Sequence, residues 1–163
     1  TIDPRPDDQE AFSSTSLDLK LAKEGRTWPA AAGLPIRPGA QRYSYTNTQD
    51  RQKKIDFRGY TLGSQSFVLG WTEEYIDLPI SSRIAARVEG KSSLARLGVG
   101  IHVTAPTIHA GFKGNIQLEI FNFGPNEIIL DAGLRICQLI FEQTVGTPEK
   151  GYSGMFANQR AEA

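Results

Sequence analysis

Short runs of alternating polar and apolar residues, each cut off by glycine, proline or asparagine, constrain this chain more than any other feature. The clearest is 115–123, where Ile116, Leu118 and Ile120 fall on one side and Gln117, Glu119 and Phe121 on the other. Successive side chains of a strand point to opposite faces, so this spacing predicts a strand with one face in the core and Glu119 on the other. Similar logic predicts strands over 14–21, carried by Leu17, Leu19 and Leu21, and over 83–89, carried by Ile84, Ala86 and Val88. Further strands are expected over 57–62, 66–72, 101–104, 127–130 and 134–142, with 73–79 as a bend. Gly124-Pro125-Asn126 and Asp131-Ala132-Gly133 supply turns. Only 92–97, with serines at its start, predicts a helix, and a short one. Residues 24–52 are polar and rich in glycine and proline, which predicts a long connection with one short strand near 42–45. Many short strands with one brief helix favour an all-β barrel or sandwich over an alternating α/β plan.

The 163 residues suffice for one domain with a real core and are too few for two of ordinary size, so 1–163 reads as a single domain. The proline-rich residues 1–12 are expected to form an arm on this or a neighbouring subunit. Residues 146–163, where Gly151 and Gly154 alternate with Tyr152, Met155 and Phe156, are expected to form a flap. Lysine plus arginine and aspartate plus glutamate both number 18, which argues against a nucleic acid polymer or a membrane surface as partner. The single cysteine, Cys137, cannot form an internal disulfide and reads as a small buried apolar residue. No apolar run approaches the roughly 20 residues of a membrane helix, so a soluble, cytoplasmic protein is expected.

Chemistry concentrates in 89–119. Gly90-Lys91-Ser92-Ser93 joins a flexible turn, a cation and two hydroxyls, groups that suit phosphate oxygens. Taken alone, each has a plainer reading. Serines at a helix start commonly cap it, a strand glutamate is most often solvated or ion-paired, and Arg96 pairs structurally as readily as catalytically. His102, in an alternating segment, reads as a packed and hydrogen-bonded side chain.

These segments, with Ser16-Leu17-Asp18-Leu19, 72–79 (TEEYIDLP), 90–98 (GKSSLARLG), 102–105 (HVTA), 111–122 (GFKGNIQLEIFN), 133–141 (GLRICQLIF) and 152–159, resemble the deoxycytidine triphosphate deaminase branch of the dUTPase-like superfamily. The resemblance implies a distorted β-barrel, a homotrimer with active sites at subunit interfaces, and a C-terminal flap over the nucleotide. It further implies hydrolytic deamination of dCTP to dUTP and ammonia, with Glu119 as base. Ser92 and the carbonyl of Ala105 would hold the water, and Arg96 would orient the catalytic group and stabilise developing negative charge. Lys91, Ser92 and Ser93 match phosphate contacts. Gln138, Tyr152 and Gln159 fall in segments near the nucleotide, and Mg2+ is expected to bind through the triphosphate with no protein side chain as ligand. Zinc-dependent deaminases need His-x-Glu and Pro-Cys-x-x-Cys. With one cysteine, and no glutamate two residues after His102 or His109, a zinc route is not expected.

The chain departs from the family pattern at three places. His109 stands where an aspartate is usual, Thr107 where some members have a cation, and Met155-Phe156 where the flap usually has lysine and tyrosine. These departures leave two alternatives to deamination of dCTP alone. One is a dUTP diphosphatase or a bifunctional enzyme, which His109 disfavours because that cleavage uses a carboxylate to activate water. The other is a nucleotide-binding regulatory trimer with impaired turnover.

Overall fold

In the computed structural model, residues 1–6, 8–29, 51–154 and 156–161 are described. The strands run β1 (Ile2–Asp3), β2 (Ser16–Lys20), β3 (Glu24–Thr27), β4 (Lys53–Asp56), β5 (Tyr60–Leu62), β6 (Phe67–Asp77), β7 (Ile84–Gly90), β8 (Val99–Gly100), β9 (Thr107–Ile108), β10 (Lys113–Asn122), β11 (Ile128–Leu130) and β12 (Arg135–Gln143). Among the described residues one α-helix, α1 (Ser92–Ala95), lies between β7 and β8, and two 3-10 turns cover Gln9–Ala11 and Ile80–Ser82. One sheet has the order β4-β3-β6-β10-β8 with β1 added to β6; a second has the order β2-β12-β7-β9; β5 and β11 form a separate pair. The named strand pairings are all antiparallel.

Both larger sheets turn their apolar faces to one core. Ile116, Leu118 and Ile120 of β10 meet there with Leu17 and Leu19 of β2, Ala86 and Val88 of β7, and Ile136, Cys137 and Leu139 of β12. The expected alternation holds in β2, β7 and β10. Two neighbours, Ile136 and Cys137, are buried together in β12 because its register against β2 shifts between Arg135 and Cys137, and such an irregularity turns an extra residue inward. Burial pushes the Cys137 thiol far up, as expected of a small core residue.

Several expectations need correction. Residues 73–77 are not a bend: β6 continues to Asp77, pairing with β10 across an irregularity between Asn115 and Gln117. Residues 101–104 are not a strand, since pairing with β10 stops at Gly100. Strands β3 and β4 lie partly inside or beside the expected connection. Gly25 of β3 leaves room for the Phe57 ring, where any Cβ would collide. The serines of α1 do not cap it; Lys91 holds the cap position, with no side-chain capping bond. The expected strand at 42–45 lies outside the described residues.

The N-terminal residues lie on this chain's own surface: Ile2 and Asp3 pair with Ile76 and Tyr75, and Ala11 is buried. The C-terminal tail folds back in the same way. Tyr152 N–H donates to the Ala110 carbonyl (3.0 Å), and Asn158 N–H to the Lys113 carbonyl (2.8 Å). Gly111 (φ +88°) permits that approach, since a Cβ there would stand 2.8 Å from Tyr152 N. Among the described residues no helix is long and apolar enough to cross a membrane.

Glu74 is the one carboxylate among the buried residues described, 2% exposed, and its Oε2 accepts from Lys20 N–H at 2.9 Å. Burial is the main cause that raises its pKa above the ordinary carboxylate range. A raised folded-state pKa favours the protonated form. The stability it contributes is therefore fully present below the unfolded value and lost as pH rises through the folded one. Glu74→Gln keeps an acceptor for Lys20 and removes the charge. Thermal melts are expected to show the variant more stable than wild type at pH 8, with the gain vanishing near pH 4.

Candidate active site

Glu119 sits near the middle of β10, opposite Leu69 of β6. Alternation puts its side chain on the face away from the core, half-buried, while Leu118 and Ile120 are 1% and 0% exposed. The loop that follows β8 fixes the carboxylate. Glu119 N–H donates to the Ile101 carbonyl (3.0 Å), and two residues on, Val103 N–H donates to Glu119 Oε2 (3.0 Å). The segment misread as a strand therefore crosses β10 as an anchored loop, with Ile101 1% exposed beneath it. A backbone donor of this kind is invisible in a sequence, because every residue except proline carries one.

The carboxylate borders a cavity of about 480 Å³. Of the residues anticipated from sequence, the structure brings Ala105, Thr107, His109, Tyr152 and Gln159 to this cavity with Glu119. The tail forms part of the wall. Tyr152 stacks on His109, with ring centroids 5.7 Å apart and planes 15° from parallel, and packs at a tilt on Phe112. Gln159 is tied at both ends of its reach: its carbonyl accepts from Asn115 N–H (3.1 Å), and its Nε2 donates to the Asn115 carbonyl (2.8 Å). Phe156 also reaches the cavity, whereas Met155 lies outside the described residues. Sequence reasoning missed Trp28, Phe67 and Leu69, which also line the cavity, Leu69 directly beside Glu119 in the β6–β10 ladder. Their only signal was apolarity, which a core position shares.

Lys91, Ser92, Ser93, Arg96 and Gln138 do not line this cavity. Ser92, Ser93 and Arg96 are exposed on α1 and the turn after it, their side chains without a hydrogen-bond or ion-pair partner among the described residues. The helix is held at its far end by a close backbone approach: Gly98 (φ +93°) lies against Gly124, and Phe123 N–H donates to the Gly98 carbonyl (2.7 Å). Lys91 and Gln138 point inward instead. Lys91 Nζ pairs with the Asp18 carboxylate, and Gln138 Nε2 donates to the Gly90 carbonyl (3.1 Å). One chain thus divides the anticipated residues into a cavity that carries the carboxylate and a separate outward-facing turn that carries hydroxyls and a guanidinium.

The cavity lining holds one carboxylate, Glu119, and no lysine or arginine among the described residues. No group of three or more His, Cys, Asp or Glu side chains among them is arranged to hold a metal ion. Chemically, the arrangement offers a fixed proton acceptor, the exposed Ala105 on the same cavity, and aromatic walls suited to a planar ring.

Comparison with known proteins agrees with this architecture. A model of the family described as dCTP deaminase-like matches residues 1–144. A protein of Methanobrevibacter smithii named dCTP deaminase, dUMP-forming, is 35% identical over 147 residues, covering 90% of this chain and 73% of that protein. One of Rhodospirillum rubrum named dCTP deaminase is 33% identical over 156 residues, covering 93% of this chain and 78% of that protein. Among solved structures, the 2'-deoxycytidine 5'-triphosphate deaminase of Agrobacterium tumefaciens superposes with a TM-score of 0.64 at 24% identity, over 87% of this chain and 43% of that one. That last likeness is one of fold, and it matches the distorted, nearly all-β architecture described above. With the family model spanning residues 1–144 and relatives above 30% identity over nine-tenths of its length, the chain belongs to the dCTP deaminase-like family.

Proposed function

We propose that this protein hydrolyses the 4-amino group of dCTP, giving dUTP and ammonia, at sites completed by a neighbouring copy in a homotrimer. The observation that carries the reading is the Glu119 carboxylate, held by Val103 N–H at the edge of an aromatic cavity that also contains Ala105. Glu119 accepts a proton from water as the oxygen adds to C4 of the ring. It passes that proton to the ring nitrogen, takes the second water proton from the C4 hydroxyl of the adduct as the carbonyl forms, and gives it to the amino group as the C4–N bond breaks and ammonia leaves, so the carboxylate ends as it began. The Ala105 carbonyl and the Ser92 hydroxyl hold that water, and Arg96 offsets negative charge as it develops.

Charge supports the trimer. A triphosphate beside Glu119 meets no lysine or arginine among the described lining residues. Unpartnered phosphates next to a carboxylate repel it strongly at low effective dielectric. The side chains of Arg96 and the serines of α1 are exposed, with no partner among the described residues, a disposition that suits a nucleotide seated in the adjoining subunit. With Glu119 the sole carboxylate at the described cavity wall, Mg2+ is carried by phosphate oxygens and water and not by a protein cage. A free nucleotide as substrate fits a cytoplasmic location.

The name of the first relative introduces a second reading, in which pyrophosphate is also released. Here His109 is stacked on Tyr152 where diphosphatase relatives are expected to use aspartate, which favours deamination alone. Incubation with dCTP and Mg2+ is expected to yield dUTP and ammonia; dUMP with pyrophosphate would assign the second activity, and neither product at high enzyme concentration would leave a binding role. Glu119→Gln is expected to retain the fold and nucleotide binding and to lower deamination about 100-fold or more. Near-normal turnover would remove Glu119 as base.

A sharper test uses the division of the site. Glu119→Gln and Arg96→Ala chains, each inactive as a homotrimer, are expected to recover activity when co-refolded, because about a quarter of interfacial sites then combine an intact Glu119 with an intact Arg96. No recovery, with mixed trimers verified by mass, would place both residues in one chain's site.

A further inference from the structure

Gly90 and Lys91, the two residues that lead into α1, are gripped from below by β2 and β12, through groups the deamination reading does not use. Gln138 Nε2 donates to the Gly90 carbonyl at 3.1 Å, and its Oε1 accepts from Ser16 Oγ at 2.8 Å. Ser16 is fixed in turn by Ser13: the two hydroxyl oxygens are 2.8 Å apart, and Ser16 N–H donates to Ser13 Oγ at 3.1 Å. One residue further on, Lys91 Nζ is paired with Asp18 Oδ2. Ser16 and Asp18 are two apart on β2 and so share a face. The ladder places Gln138 opposite Asp18 on one side and opposite Glu89 on the other. Consecutive residues of the turn are thus held through a carbonyl and through an ammonium, from one patch of sheet.

The energetics decide what Lys91 can do. The Asp18 and Lys91 side chains are 13% and 24% exposed. For Lys91 to reach a phosphate it would abandon Asp18, leaving a largely buried carboxylate without its partner, which is far costlier than never having formed the pair. We propose that Asp18 is a positioning residue: it takes up the charge of Lys91 and, with Ser16 and Gln138, sets the direction in which Ser92, Ser93 and Arg96 project. Lys91 is a strut of this clamp and not a direct phosphate ligand. The proposal rests on the deaminase reading for its kinetic consequence, and on geometry alone for its structural one.

A double-mutant cycle tests it on the full chain, with Asp18→Asn, Lys91→Met and the double variant compared with wild type. Two quantities are measured: kcat/KM for dCTP, and amide hydrogen exchange across residues 90–97 in nucleotide-free protein. Each single substitution is expected to lower kcat/KM about tenfold and to speed exchange at 90–97, while amides of β10 stay protected; the double is expected to lose no more than about a further twofold. Asp18→Glu, which keeps the charge, is expected to restore most of the protection and rate, and it serves where Asp18→Asn does not fold. An equal loss on Lys91→Met in both backgrounds would show Lys91 acting independently on phosphate, and unchanged exchange in Asp18→Asn would show no clamp; either overturns the proposal. If wild-type protein does not convert dCTP, the deaminase reading fails by itself and the exchange measurement still decides the clamp.

Discussion

Asn115 uses every polar group it has, and the rest of the site hangs on that satisfaction. Its Nδ2 donates to the carbonyls of Thr72 (3.0 Å) and Glu73 (3.1 Å), its Oδ1 accepts from Ala161 N–H (3.1 Å), and its own N–H and carbonyl are both taken by Gln159. Thr72 answers from β6, its hydroxyl accepting from Ile116 N–H at 2.9 Å and donating to the Glu74 carbonyl at 2.8 Å. At an irregularity in a long ladder, backbone groups lose their regular partners, and a buried unpaired one costs about 1–3 kcal/mol. Here Asn115 and Thr72 supply the missing partners where the β6 and β10 registers slip. The same residue that repairs the ladder also seats the C-terminal tail, so the cavity wall and the sheet are held by one junction.

That junction places Glu119 four residues along a rigid strand, where its backbone cannot drift. The side chain is then aimed by the loop after β8, through a single N–H from Val103. A carboxylate accepting one such bond keeps lone pairs free to take a proton, which full satisfaction would deny it. Glu74 on β6 also accepts a backbone bond, from Lys20 N–H, but it is deeply buried, and burial favours its protonated form. Two glutamates on neighbouring strands are therefore fitted to different work by exposure alone.

How much of this was legible follows from what sets each element. Period-two alternation located β2, β7 and β10 because burial of one sheet face writes itself into the sequence. It also gave the face on which Glu119 lies. It failed at 73–77, where Glu73, Glu74 and Asp77 looked like a polar bend. Thr72 and Asn115 make that polarity compatible with a strand interior, through contacts 43 and 42 residues apart in the chain. β3 was missed because Glu24-Gly25-Arg26-Thr27 has no apolar alternation; Gly25 is there to admit the Phe57 ring. The family resemblance supplied candidate site residues but not their grouping. Nothing in GKSSLARLG says that Lys91 turns in toward Asp18 while Ser92, Ser93 and Arg96 turn out.

The substitution at His109 fits the same physical scheme. An aspartate in its place would add a second carboxylate to a cavity whose described wall already holds Glu119 and no lysine or arginine. The imidazole instead lies flat against Tyr152, joined there by Phe112. Aromatic stacking, the Gln159–Asn115 bonds and the Arg160 guanidinium over the Tyr75 ring hold the tail through contacts within the chain, so the tail lies against the cavity in the absence of phosphate. A flap secured by a cation-to-phosphate contact would close only on its ligand. An imidazole in place of a carboxylate and a tail secured by ring packing are two sides of one arrangement: on the proposed reading, the cavity lacks a carboxylate at 109 to activate water against phosphorus and keeps Glu119 to activate water against a ring carbon.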